Sequence, residues 1–300
     1  MKFLSFVFCV VGGVLLAPFL VRAADAGLTV TPVFQEVTLE ADREEAEFFV
    51  TLTNDTGLPI VLRSSVADFG SLDESGGVAF LGASDNLVRK FALASWMRPE
   101  KDVISLASGE SEELRVVIEN RESLSPGGHY GAVLFRIGEE EIAASDAMVA
   151  VNQMISVLVF AKKQGGEVYN LELLDYAPVI PLLQKISQVR LRFQNNGNVH
   201  VIPRGTMTLK DPVGRIVEKG IINEESGLIL PETQRTWVAK LMPLSFLVLP
   251  GYYTLSLEYR YDGKDSFAKV EQRLFLVPWP GVAFLAVCMG FLWVRWKRKK

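Results

Sequence analysis

Two cysteines and two histidines are all that the 300-residue chain holds of the side chains most used for metal binding and nucleophilic attack. Cys9 lies in an apolar N-terminal run and Cys288 in an apolar C-terminal one, so the chain between them has none. That excludes a disulfide, a zinc-thiolate site and a cysteine nucleophile there. His129 and His200 each sit in a turn-like stretch, with no acidic or histidine neighbour at a metal-ligand spacing. No Gly-x-Ser-x-Gly elbow accompanies them. Ser266-Phe-Ala-Lys269 has the Ser-x-x-Lys spacing but falls in a predicted strand, where that motif does not work. Helical periodicity is almost absent between residues 27 and 275. The expectation is a non-enzymatic protein with no cofactor and no metal. A hydrolase is the weakest alternative, since it needs His129 or His200 beside a carboxylate in a cleft.

The two ends are unlike the rest. The N-terminus has one lysine, an apolar run from Phe3 to Val21, then small residues around Ala23, Ala24 and Ala26. It reads as a signal peptide over 1–26, with an uncleaved anchor as the other reading. At the C-terminus, Leu274 to Val294 is an uncharged run of about 21 residues, the length of a membrane span. Trp279, Trp293 and Trp296 mark its edges, and Arg295, Lys297, Arg298, Lys299 and Lys300 follow it. A basic cluster after a span stays in the cytoplasm. The expectation is a single-pass type I protein in the cell membrane, with a transmembrane helix at 274–294, a cytoplasmic tail at 295–300 and an extracytoplasmic body. A lipid-anchor signal is disfavoured by the five cations.

Setting aside Lys2, Arg22 and Asp25 of the leader and the cations of the tail, the body carries about −10. That opposes nucleic acid as a partner. With 49% of the whole chain hydrophobic there is enough apolar side chain for two domains, and the body must hold them without disulfides.

Strand alternation is what the body has. Glu45–Asn54 (EAEFFVTLTN) puts Ala46, Phe48, Val50 and Leu52 on one face, and 113–120, 188–195 and 253–261 share that period of two. Gly, Pro, Asn and Asp punctuate these runs. Many short strands at such spacing predict two tandem immunoglobulin-like β-sandwiches, an all-β fold with domains at 27–163 and 167–273. The boundary falls at Ala161–Glu167 (AKKQGGE), after an apolar strand expected over Ala147–Ala161. The units share two details. Each has a strand ending in Asn (Asn54, Asn195) before a Gly-containing turn, and each has a Pro-Gly that leads through tyrosine into a long strand. The exception is 68–102, long for a connection, within which NLVRKFALASWM is expected as one short helix placing Leu87, Phe91 and Leu93 or Ala94 on the sheet. Asn54-Asp55-Thr56 fits a glycosylation sequon, but with Gly57 it reads first as a turn. Glu139–Glu141 reads as a solvated turn. FQNNGNVHVIPRG, 193–205, reads as a strand, a turn whose asparagines satisfy backbone groups, and a second strand, with His200 half exposed or bonded to a neighbour's backbone.

In the first unit, the order LTVTPVF, a strand ending LTNDTG, then SWMRPEKDVISLASGESEELRVVIEN and LSPGGHYGAVLFR resembles the peptidoglycan-binding-type domain of bacterial WxL-interacting surface proteins. The leader, tandem sandwiches, C-terminal helix and basic tail are similar to that family's topology. Its most specific element is Pro126-Gly127-Gly128-His129-Tyr130-Gly131. The second unit departs from the family. The resemblance implies a cell-surface protein that binds cell wall glycan (peptidoglycan) or an extracellular protein partner, held to the lipid bilayer by its C-terminal helix. It implies a ligand-contacting surface of Trp96, His129 and Tyr130. Against this stands the plainer reading of Trp96 as a core cap and Tyr130 as a strand start. The alternative function is an assembly or chaperone-like role, in which an open sheet edge completes a partner's strand, favoured by a charge-poor edge strand such as Ala147–Ala161.

Overall fold

The computed structural model describes residues 27–80, 89–138, 154–179, 186–245, 250–277 and 279–298. The first unit holds β1 (Leu28–Thr31), β2 (Phe34–Leu39), β3 (Glu45–Asn54), β4 (Ile60–Ser71), β5 (Val78–Phe80), β6 (Met97–Pro99), β7 (Val103–Leu106), β8 (Ser111–Glu119), β9 (Gly127–Ile137) and β10 (Met154–Lys163). One sheet has the order β1-β3-β8-β6, the other β2-β10-β9-β4, with β5 and β7 both pairing to β4. The leading chain serves both sheets, β1 antiparallel to β3 and β2 parallel to β10, either side of a cis Thr31–Pro32 peptide. Two facing sheets in this strand order are an immunoglobulin-like sandwich. The alternation predicted for β3 is what packs it. Phe48, Val50 and Leu52 are buried against Leu114, Val116 and Ile118 of β8 and Val133, Phe135, Val157 and Val159 of the other sheet, while Phe49 faces out. Each fully buried aliphatic or aromatic side chain contributes about 2 kcal/mol, which lets this unit fold without a disulfide.

The second unit is antiparallel throughout: β11 (Leu171–Val179), β12 (Gln188–Asn195), β13 (Arg204–Lys210), β14 (Ile216–Ile222), β15 (Gln234–Pro243), β16 (Gly251–Tyr261) and β17 (Lys264–Leu276). The order is β11-β12-β15-β14-β13-β16-β17. β15 pairs with β12 over Gln234–Lys240 and with β14 over Leu241–Pro243, so one continuous sheet folds over a single core. Val189, Leu191 and Phe193 meet Met207, Leu209, Tyr253, Leu255 and Leu257 there.

Several expectations need correction. The described part of NLVRKFALASWM, from Arg89 on, forms two 3₁₀ turns, Arg89–Phe91 and Ala94–Trp96, not one helix. The reason is Asp68, whose Oδ1 accepts the N–H of Leu93 at 2.7 Å and of Ala94 at 2.6 Å, taking amides a helix would use. Phe91 and Leu93 are buried as expected, and Leu87 lies outside the described residues. The strand expected over 147–161 starts, among the described residues, at Met154 and runs two residues further, to Lys163. Its first part, Glu139–Glu141, the leader at 1–26 and the last two lysines lie outside the described residues. The span expected at 274–294 overlaps β17, which runs to Leu276, and the helix α1 covers Trp279–Lys297. Among the described residues no helix is long and apolar enough to cross a membrane.

Candidate functional site

The two sequence stretches that stand out, 126–131 and 193–205, meet each other between the units. Gly127 opens β9 with φ +117°, a conformation that favours glycine, and a Cβ there would lie 2.8 Å from the Asn198 carbonyl. Gly128 donates its N–H to that carbonyl at 2.7 Å, and a Cβ on Gly128 would collide with the Tyr130 hydroxyl. The glycine pair is therefore what lets the second unit's turn approach the first.

His129 is 2% exposed, its Nδ1 3.1 Å from the Ala92 carbonyl and its Nε2 2.7 Å from that of Ser125. It pins the 92–94 turn region to the start of β9. Tyr130 is 1% exposed, its ring edge-on to Phe69, Phe91, Phe160 and His200. Burial pushes its phenol far above the ordinary range, so the hydroxyl stays protonated, and it lies in hydrogen-bond contact with His200 Nδ1 at 3.3 Å. Trp96 is half-buried on the core of the first sandwich, under the Arg121 guanidinium at 5.8 Å from the ring centre. The structure does not bring Trp96, His129 and Tyr130 onto one ligand-contacting surface. Two are inside, and a sugar cannot stack on a ring without exposed area, so the plainer reading describes their positions.

The 193–205 stretch does more than turn. Asn195 is fully buried; its Nδ2 donates to Val199 O and Ile229 O, and its Oδ1 accepts the Gly197 N–H at 2.9 Å. Asn198 spans the units: Nδ2 donates to Gly166 O at 2.9 Å and Pro126 O at 3.3 Å, and Oδ1 accepts the Val168 N–H at 2.7 Å. His200 is half-buried, edge-on to Tyr130 and Phe160. Its partner is the Tyr130 side chain, not a backbone group. Burial holds its pKa below the ordinary range, against the pull of Glu36 and Asp262 and with the help of Lys162.

Three contacts close the far side of this joint. Arg192 donates to both carboxylate oxygens of Glu74, whose Oε2 also accepts from the Thr236 hydroxyl at 2.9 Å. Those hydrogen bonds, that of Arg192 first, hold the Glu74 carboxyl below its usual range. The Glu74 carbonyl accepts the Thr236 N–H at 2.7 Å. Leu230 packs into the Phe69–Tyr130–Phe160 cluster. Nothing in the sequence pattern pointed to Glu74, Arg192 or Leu230, because their partners are distant in the chain.

A cleft of about 450 Å³ opens beside the joint, lined by Glu36, Lys162, Tyr169, His200, Arg204 and Asp262 among others. Arg204 and Asp262 pair at 2.8 Å. The described hydrogen bonds join neither histidine to a carboxylate, which is the geometry a hydrolase needs. Among the described residues no group of His, Cys, Asp or Glu could hold a metal ion.

Next to the cleft lies the feature with the clearest chemical consequence. β9 pairs with all ten residues of β10, but β2 covers only Leu158–Lys163. The last bond on that flank is Leu158 N–H to Val33 O, 3.1 Å. By the alternation of strand hydrogen bonding, Met154 and Ser156 present their N–H and C=O to the same flank. No strand among the described residues pairs with them there. Val33, Phe34 and Met154, 67%, 56% and 47% exposed, border this notch. Among the described residues, most outer strands of the sheets are blunted. β1, β5, β6 and β7 are three or four residues long, β2 carries Glu36, β11 carries Glu172, Asp175 and Pro178, and β17 is charged along its length. Met154–Val157 has neither charge nor proline and is held from behind by β9.

No protein-family model matches the chain, and no curated protein does. Among solved structures it is similar to a chain of the chaperone–tip adhesin complex of CFA/I fimbriae (TM-score 0.45, 11% identity, 84% of this chain and 100% of that one). It is similar also to the class 5 fimbriae chaperone CfaA (0.41, 12%, 84% and 100%) and to the E. coli chaperone DraB (0.39, 15%, 83% and 98%). At these scores the likeness adds nothing to the architecture already read from strand order.

Proposed function

We propose that this is a non-enzymatic, membrane-attached protein whose body lies outside the cytoplasm and binds an extended segment of a partner protein. The segment adds as a strand to the Met154–Val157 flank of β10. One observation carries this: among the described residues, a strand paired along its whole length on one side stops being paired halfway along the other, where it is uncharged and bordered by exposed apolar side chains. Such an edge offers main-chain hydrogen bonds for affinity and flanking apolar groups for side-chain choice. The preferred segment has apolar residues at alternate positions and no charge beside Phe34 and Met154. Cell wall glycan is the lesser reading, because Tyr130 and His129 are inside.

Selection of short extended peptides from a random library on the full chain in detergent tests the proposal. Selected peptides should slow hydrogen exchange at the Met154 and Ser156 amides. Ser156→Pro, which removes a donor on the open flank and leaves the β9 bonds of Ile155 and Val157, should abolish their binding without changing the melting temperature by more than a few degrees. Peptides that bind Ser156→Pro as well as the parent would sink the idea.

A further inference from the structure

At the end of the second unit from which α1 leaves, the surface changes character. The β13–β14 turn, the end of β15, the start of β16 and the end of β17 all lie there, as the pairs Lys210↔Thr254, Glu218↔Pro243 and Gly251↔Leu276 require. Gly251 sits so close to the turn that a Cβ would stand 2.7 Å from Pro212 Cγ. Val213, Leu244, Tyr252 and Phe275 are 66%, 61%, 68% and 62% exposed, and the Tyr252 and Phe275 rings meet edge-on with centroids 5.2 Å apart. A soluble domain does not ordinarily gather so many exposed large apolar groups at one end.

The helix that follows has the same need. Val282, Val287, Met289, Phe291, Leu292, Trp293 and Val294 are all exposed, and at 100° per residue they are spread around α1. None of its described side chains is buried, and a helix apolar all round calls for an apolar medium. Only residues 277 and 278 separate β17 from α1, a link that spans about 10 Å at full extension. Whatever surrounds the start of α1 therefore reaches the rim as well. At the other end of α1, Lys297 lies over the Trp293 ring at 4.1 Å, a cation and an aromatic in the order found at a membrane–water interface.

We infer that this end of the second sandwich rests on the bilayer itself, with Val213, Leu244, Tyr252 and Phe275 in the headgroup zone. This rests on the reading of α1 as the membrane attachment. The lipid contact would fix the tilt of the body and hold the β10 notch at a set height above the surface.

The scarcity of cysteine makes the test direct. In the full chain carrying Cys9→Ala and Cys288→Ala, single cysteines replace Val213, Leu244, Val287 or Glu224, the last exposed beyond the opposite end of β14. Each is labelled with an environment-sensitive fluorophore, and the protein is placed in phosphatidylcholine–phosphatidylglycerol nanodiscs. Labels at 213 and 244 should lose about half their emission or more to lipids carrying a nitroxide near the headgroup, and the label at 224 should not. The label at 287 should be quenched by a nitroxide deep in the chains. Quenching at 287 with water-like emission at 213 and 244 overturns the rim contact and leaves the attachment standing. No quenching at 287 overturns both.

Discussion

The two units end corresponding strands in the same way and use the result differently. Asn54 closes β3 and Asn195 closes β12, and both are fully buried. Asn54 Nδ2 donates to Leu58 O, Leu106 O and Ala107 O, while its Oδ1 accepts from the Thr56 N–H and hydroxyl. Asn195 makes the equivalent set with Val199, Ile229 and Gly197. In the first unit the turn then runs into solvent at Gly57 and Leu58. In the second it delivers Asn198 and His200 to the other unit. A single local solution to strand termination thus serves as a plain turn in one place and as a hinge clamp in the other. What separates the two uses is the pair Gly127-Gly128, whose missing side chains make room for Asn198.

The similarity breaks first if either asparagine is removed. Asn54→Ala or Asn195→Ala leaves two or more buried carbonyls unmet and should destabilise its own unit by about 3 kcal/mol, read from the denaturant midpoint of each sandwich. Equal losses in the two units would confirm that the turns do the same local work. The difference is probed by Gly128→Ala. The added methyl has to displace Tyr130 or Asn198, and the expected cost is about 2 kcal/mol, taken from the joint. The two sandwiches should then melt separately and small-angle scattering should show a longer particle, while Gly57→Ala, with nothing within 4 Å of its Cβ, leaves the joint intact.

The smallest effect is that of pH. The His200 pKa is below its ordinary 6.5 in the joined state because of burial, and Glu36, Asp262 and Lys162 face it from both units. Separated units would return it toward that value, so the separated state binds more protons in acid. Coupling between the units is then full above about pH 6.5 and weakens as pH falls below it, by at most about 1.4 kcal/mol per pH unit for one proton. Calorimetry between pH 5 and 8 should show that slope in the parent and its loss in His200→Gln.

Much of this was legible in the chain. Period-two alternation located β3, β8, β12 and β16, because half-buried strands sort their side chains by face. The Gly-containing turns after Asn54 and Asn195 were legible because asparagine acts on its own backbone. The helix expected near Phe91 failed because Asp68, distant in sequence, claims its amides. The candidate site was legible only as two unconnected curiosities. The sequence shows that 126–131 and 193–205 are unusual but not that they touch, and it was the family resemblance that put Trp96, His129 and Tyr130 on a surface. The notch beside β10 depends on where β2 stops, a matter of register that no local pattern reveals.

The burial of Asn54 has one more consequence. Asn54-Asp55-Thr56 spells an acceptor for N-linked sugar, yet in the folded unit the amide nitrogen is occupied by three carbonyls and has no exposed surface. A glycan could be attached only before the turn closes, and once attached it would keep the turn from closing. In a compartment with the transferase, folding and modification would therefore compete for the same atom. The fraction of chains carrying sugar at Asn54 would count those that folded too slowly.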